Sequence, residues 1–183
     1  SVKSKNAFDI LYKSQIGKIA RIIGFGLKDS VTNVVKMQRF LLDIKSPYDI
    51  LEENNKNKSI YSNFNKTFTK YNNLLEKAKA SYNSKDKILF FQYAGETSLS
   101  SDIANELSYL YASKYIVVFR VAGASVNISM RGKDVKDIII KSIEGLDGAR
   151  GGGHQDAVGG KIKFEDLEIF KERIRKIINS SEK

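Results

Sequence analysis

The chain's patterning predicts an α/β fold: a mixed sheet flanked by helices, preceded by an all-helical segment. Three observations lead there. Up to about Ser84, apolar residues recur at helical spacing between polar turns. From Lys87 onward, short β-branched and aromatic runs alternate with helical ones, which is the signature of layered α/β structure. Between the two stretches lies the polar run Asn83-Ser84-Lys85-Asp86, so the expected domains are 1–84 and 85–183.

Each element has a local reason. Val31, Val34, Val35, Gln38, Leu41 and Leu42 fall largely on one helix face. Ser46-Pro47 is a helix start, with a Ser cap, Pro at the first helical position and acidic Asp49, Glu52 and Glu53 behind it. The Asn-, Lys- and Ser-rich stretch 54–62 reads as a loop. A long amphipathic helix follows, with Phe64, Phe68, Tyr71, Leu74, Leu75 and Ala78 as its apolar stripe. Those aromatics suit a core, and stacking on bases is the alternative.

In the second part, Lys87–Ala94 is a buried strand and Leu99–Ser113 a helix, with Ser100 or Ser101 near its cap and Ile103, Leu107, Leu110 and Tyr111 facing inward. Tyr115–Val121 and Ser125–Met130 are strands joined by a tight turn at Ala122-Gly123-Ala124. Val135–Ile143 is a helix. A Gly-rich loop leads to a strand at Val158–Phe164 and a closing helix at Glu165–Asn179, whose Leu167, Phe170, Ile174, Ile177 and Ile178 share a face.

Composition limits the function. With 42% hydrophobic and 28% charged residues the chain supports a real core. No apolar run approaches the ~20 residues of a membrane span. The opening Ser1–Lys5 is basic but has no apolar stretch behind it, unlike a signal peptide. It also lacks an initiator Met, so processing or a longer parent protein is expected. The absence of cysteine excludes disulfides and thiolate metal sites and suits a reducing cytosol, so a cytoplasmic location is expected. A single His excludes sites that need two imidazoles. The net charge of +10 points to a polyanionic partner, with ordinary Lys-rich solubility as the alternative. Lysines spread along the chain favour phosphate tracking over base readout.

Two motifs carry chemistry. Arg150-Gly151-Gly152-Gly153-His154 puts three residues without β-carbons between a guanidinium and an imidazole donor. Their amides can curl into an anion-binding nest, with a flexible turn as the alternative. Ser129 and Arg131 alternate at a strand end and share a face, and Gly132 behind them lets a ligand come close. The alternative is an edge-strand Arg in solvent. The candidate phosphate-binding set is therefore Ser129, Arg131, Arg150, Gly151, Gly152, Gly153 and His154. No cofactor is expected.

With Ala157-Val158-Gly159-Gly160 added, the order of these motifs over about Lys87–Asn179 resembles the DHH-associated domain of RecJ-like exonucleases and oligonucleotide phosphodiesterases. The resemblance implies a domain that binds a nucleic-acid substrate, with Arg131 and His154 on a phosphate or a terminal nucleotide. Ala157-Val158-Gly159 departs from the family, which usually has two alanines before the glycine. His154 favours the nuclease side over the related domain of alanyl-tRNA synthetases, which usually lacks it.

The catalytic half of that family uses a two-metal site with an Asp-His-His motif, and no such motif occurs in this chain. The stretch Ile22–Ser30 resembles the end of that half, where Asp29 is either a surviving metal ligand or a helix cap. No metal site and no hydrolysis by this chain alone are expected. The resemblance leaves three readings. The first is a non-catalytic, archaeal RecJ-like protein that binds single-stranded DNA and bridges GINS and the MCM helicase in replication. The second is the substrate-binding half of an active exonuclease or oligonucleotide phosphodiesterase. The third is a domain that handles tRNA or a small phosphorylated ligand.

Overall fold

The computed structural model describes residues 6–180. The opening Ser1–Lys5 lies outside the described residues. The chain divides into two compact units, Ser1–Asn73 and Leu74–Lys183.

The first unit is helical. Asn6 caps α1 (Ala7–Lys13), and Ser14 caps α2 (Gln15–Gly26) by accepting a hydrogen bond from the Gly17 amide. Ser30 caps α3 (Val31–Asp43). The start expected at Ser46-Pro47 is present as a single 3-10 turn, Pro47–Leu51, closed by a capping box in which Asp49 accepts from the Ser46 amide. The expected loop ends early. Buried Asn57 accepts from the Asn54 amide and donates to the Glu52 carbonyl, and α4 (Lys58–Ala80) starts directly behind it. A side chain that satisfies the turn's backbone groups is enough to launch a helix from a polar run.

The aromatic stripe of α4 is core. Phe64 and Tyr71 are buried, with ring centroids 6.1 and 5.2 Å from that of Phe25 on α2. The apolar stripe of α3 is only partly covered, with Val34 and Leu41 half-buried. Met37 is the buried residue of that helix, while Val31 is 80% and Leu42 85% exposed. Periodicity shows that a face is apolar but not that a neighbour covers it.

The second unit holds a five-stranded mixed sheet in the order β1 (Ile88–Ala94), β2 (Tyr115–Ala122), β3 (Ser125–Arg131), β5 (Ala157–Lys163), β4 (Arg150–His154). The β1–β2 pair is parallel, as a strand–helix–strand crossover requires, and the other pairs are antiparallel. The crossover helix α5 (Ser100–Leu110) lies on one face. There Ile103, Ala104 and Leu107 are buried, but Leu110 is exposed because the helix ends at it.

Helices α6 (Val135–Ile143) and α7 (Leu167–Ser180) cover the other face. Val117, Phe119, Val126, Ile128, Met130, Val158 and Ile162 pack there against Val135, Ile138, Ile139, Phe170, Ile174 and Ile178. Each of these large side chains contributes about 1.5–3 kcal/mol when fully buried. Among the described residues no helix is long and apolar enough to cross a membrane.

Candidate nucleic-acid interface

The sequence suggests a loop at the Gly-rich run, but the structure makes it a strand. β4 is an extended edge strand, paired so that Gly151 faces Gly160 and Gly152 faces Gly159. A nest needs consecutive residues of alternating helical hand, and an extended strand does not supply them. The turn is Gln155-Asp156, two residues later. It is tied down by the Asp156 carboxylate, which accepts from the Asp134 amide at 3.0 Å, and by Gln155, which donates to Asp134 at 2.7 Å. That brace fixes the strand end carrying His154 against the start of α6.

Cross-strand partners share a sheet face, so the register sorts the site. Arg131, Ala157 and His154 form one row, and Ser129, Gly159 and Gly152 the next. Asn127, Lys161 and Arg150 form a third. All nine residues lie on the face that carries α5, which covers β2 and β3.

The glycines separate by what stands over them. A methyl group added at Gly151 would sit 3.1 Å from both Ile139 and Ile143, and one at Gly160 would sit 2.9 Å from Ile139. Those two glycines let α6 approach its face. Gly153 has φ +144°, and a β-carbon there would lie 2.6 Å from the Ala157 carbonyl oxygen, so its backbone demands glycine. Gly152 and Gly159 are different. A β-carbon at Gly152 would meet nothing within 4 Å, and one at Gly159 would meet only the Ile128 carbonyl oxygen at 3.7 Å. Neither fold nor packing calls for glycine at these two positions. They form a smooth, open floor onto which a ligand can settle against the backbone.

Arg131 stands beside that floor, held in place. Its Nε donates to Asn105 Oδ1 at 2.7 Å, and Nη1 donates to the Met130 and Val158 carbonyls at 2.8 and 3.2 Å. Among the described residues no hydrogen bond engages Nη2, so two N–H groups remain for an anion. Burial lowers the guanidinium's pKa from its ordinary value, and the Asp102 carboxylate partly opposes that shift. A half-desolvated cation attracts an anion more strongly than one in water. Ser129 is buried, and its hydroxyl donates to that of Ser100 at 3.0 Å, so it braces α5 and does not face a ligand openly. Gly132 has a packing role, since its missing β-carbon makes room for the Tyr115 ring at 2.6 Å.

Arg150 and His154 are exposed, and among the described residues neither side chain has a hydrogen-bond or ion-pair partner. The register places His154 two strands from Arg131, about 10 Å away at typical strand spacing. That is close enough for both side chains to reach one phosphate or adjacent ones. Sequence reading missed Asn127, Lys161 and Asn105. The first two share the floor's face by register alone, and Asn105 orients Arg131 from another element.

A DHHA1 domain match covers residues 85–180. The chain belongs to the DHHA1 domain family. The same fold occurs in solved structures. RecJ from Thermus thermophilus, in complex with Mg2+, superposes with a TM-score of 0.66 at 16% identity, over 95% of this chain and 26% of that one. A RecJ bound to manganese gives 0.61 at 16% identity, covering 98% of this chain and 43% of that one. The pGpG-specific phosphodiesterase PggH from Vibrio cholerae gives 0.60 at 13% identity, covering 96% and 62%. These identities show a shared fold. The chain spans about a quarter of the length of the Thermus RecJ. No curated protein matches it.

Among the described residues no group of three or more His, Asp or Glu side chains is placed to hold an ion. Asp29 is engaged locally at the start of α3, where it accepts from the Ser30 amide at 2.6 Å and from Asn33 Nδ2 at 3.0 Å. These contacts lie beside the cap itself, which is Ser30. A cleft of about 660 Å³ opens in the helical unit, lined by residues that include Lys36, Arg39, Phe40 and Lys56. None of the candidate phosphate-binding residues lines it.

Proposed function

We propose that the open sheet face beside α5 grips single-stranded nucleic acid, DNA in preference to RNA, and that this chain alone performs no hydrolysis. The observation that carries the reading is the pair Gly152 and Gly159: two facing glycines with no steric reason to be glycine, next to a braced arginine and unpartnered cations. The backbone floor admits a sugar-phosphate chain, Arg131 supplies a fixed charge, and His154 supplies a second donor. The test is titration of fluorescent single-stranded DNA against wild type, Arg131→Ala, His154→Ala and the double variant at two salt concentrations. Residues that share one anion give a double-variant loss smaller than the sum of the single losses. Wild-type affinity in both single variants removes the site. Chelator-sensitive degradation of the same strand with manganese overturns the non-catalytic reading.

In this reading the chain is a cytoplasmic, archaeal-type replication component whose partners are GINS and the MCM helicase. The exposed Val31 and Leu42 on α3 support a protein-facing surface in the helical unit. Replacing both with Glu should reduce co-purification of GINS or MCM subunits while leaving DNA affinity intact, and equal recovery rules against the role. A second reading rests on a specific observation. The likeness to RecJ runs over 95% of this chain but only 26% of that protein, which suits the substrate-gripping part of a longer exonuclease or oligonucleotide phosphodiesterase. The binding face acts alike in both, and an Asp-His-His motif upstream in the native reading frame decides for the second.

A further inference from the structure

In the third row of the open face, Asn127 and Lys161 have no role in the site described so far, and Arg150 has no assigned contact. Arg150 on β4 and Lys161 on β5 are direct cross-strand partners. Both are exposed, and among the described residues neither side chain has an ion-pair or hydrogen-bond partner. Directly opposed like charges destabilise a strand pair, so this juxtaposition carries a cost that nothing within the described fold offsets. The contrast with the next residue on the same strand face is direct, because Lys163 is matched by Asp147 at 2.6 Å. Asn127 continues the row on β3, and its amide is also uncommitted among the described residues. Arg120 is the next partner, but its Nη1 is engaged by the Gly95 and Glu96 carbonyls.

Position gives the row its meaning. Arg131 and Asn127 are four residues apart on β3, as are Ala157 and Lys161 on β5 and Arg150 and His154 on β4. At the usual rise per residue, the Arg131–His154 row and the Lys161–Arg150 row stand about 13 Å apart. Between them lies the floor row of Ser129, Gly159 and Gly152, which carries no side chain beyond the serine hydroxyl. Adjacent phosphates of an extended single strand are roughly half that distance apart. Two cationic rows across a side-chain-free floor therefore match two phosphates with a third between them.

We propose that Arg150 and Lys161 form a second phosphate subsite for the same strand, resting on the binding reading above. Arg131 and His154 hold one phosphate, and Arg150 and Lys161 hold the next but one. The face then measures ligand length: a strand with three phosphates fills it, and one with two does not. Asn127 adds a neutral donor at the second subsite.

The experiment compares the affinities of 5′-phosphorylated di- and trithymidylate for the full chain, for Arg131→Ala, and for the double variant Arg150→Gln with Lys161→Gln. Circular dichroism confirms that each variant is folded. Wild type should bind the trinucleotide at least roughly tenfold more tightly than the dinucleotide, as expected for an added charge-assisted bond. The double variant should lose that gain and bind the dinucleotide as wild type does. Its salt slope on the trinucleotide should fall by about 0.7 for each phosphate that is no longer neutralised. Arg131→Ala should weaken both ligands. A double variant that keeps wild-type trinucleotide affinity, or that weakens both ligands equally, overturns the second subsite. An Arg131→Ala chain that binds both as wild type does overturns the face as a whole, which is a separate failure.

Discussion

Two halves of one sheet face do different work. On β3, under α5, Ser129 and Arg131 are drawn into the fold: Ser129 bonds to Ser100, and Arg131 is held by Asn105 and two carbonyls. On β4 and β5, beyond the helix, Arg150, His154 and Lys161 are exposed and, among the described residues, unpartnered. The difference follows from where α5 ends its cover. A half-buried arginine that is bonded on several sides is pre-organised, so it loses little freedom when an anion arrives. Exposed side chains keep their freedom and lose it on binding. The face thus combines a fixed reference charge with an adaptable rim, and the glycines form the seam between them.

The largest effect expected from breaking this division lies in the seam. Gly153→Val places a β-branched residue at φ +144° and drives a β-carbon toward the Ala157 carbonyl. The backbone term alone costs about 1–3 kcal/mol. Gly152→Val, one residue away in open space, should stay within about 0.5 kcal/mol of wild-type stability while losing single-strand binding. Chemical denaturation together with a binding titration separates the two. Equal destabilisation by both variants would show that the run is glycine for folding alone.

Next in size is the fixed charge. Arg131→Ala should weaken DNA binding by about 1.5–3 kcal/mol, as expected for a charge-assisted bond. Arg131→Lys should not rescue it, because an ammonium cannot reproduce the fork that reaches Asn105 and two carbonyls at once. Full rescue by Lys would reduce Arg131 to a point charge and remove the difference between the two halves.

A smaller effect is expected at the adaptable rim. His154→Ala should weaken single-strand binding by less than Arg131→Ala does, because an exposed, unbraced donor loses more freedom when it binds. The readout is the ratio of dissociation constants of the two variants. Wild-type affinity in His154→Ala would take His154 off the phosphate.

The smallest effect concerns the Asp147–Lys163 pair, which links the turn before β4 to the end of β5. Bonding to Lys163 lowers the Asp147 pKa and raises that of Lys163. The Asp147 contribution is therefore present above its unfolded value and fades as pH falls through the lowered one. The Lys163 contribution is present below its unfolded value and fades as pH rises through the raised one. Both groups are exposed, so Asp147→Asn should barely move the melting temperature at neutral pH. A clear drop would mean that this pair, and not the hairpin brace at Asp134, positions β4.

Much of the fold was legible in the sequence because it rests on local rules. Ser46-Pro47-Tyr48-Asp49 is a cap by residue type, and α7 shows its buried face at helical spacing through Leu167, Phe170, Ile174 and Ile178. β1, β2 and β3 read correctly because their β-branched and aromatic runs are buried, whereas β4 has no such run. Where a neighbour decides, sequence says less: the α3 stripe reads as apolar without showing how much of it is covered, and Leu110, expected to face inward, sits exposed at a helix end.

The candidate site divides in the same way. Residue types alone singled out Arg131, His154 and the glycine run, since few other positions combine cations with missing β-carbons. Only the tertiary structure decided that the run is a strand, because glycine has no side chain whose periodicity reports pairing. Only the register decided that Gly151 and Gly160 serve packing while Gly152 and Gly159 stay open. Register likewise brought Lys161 opposite Arg150, eleven residues away in the chain. Spacing along a sequence fixes which residues share a face within one element. Which faces meet, and which stay bare, depends on contacts between elements.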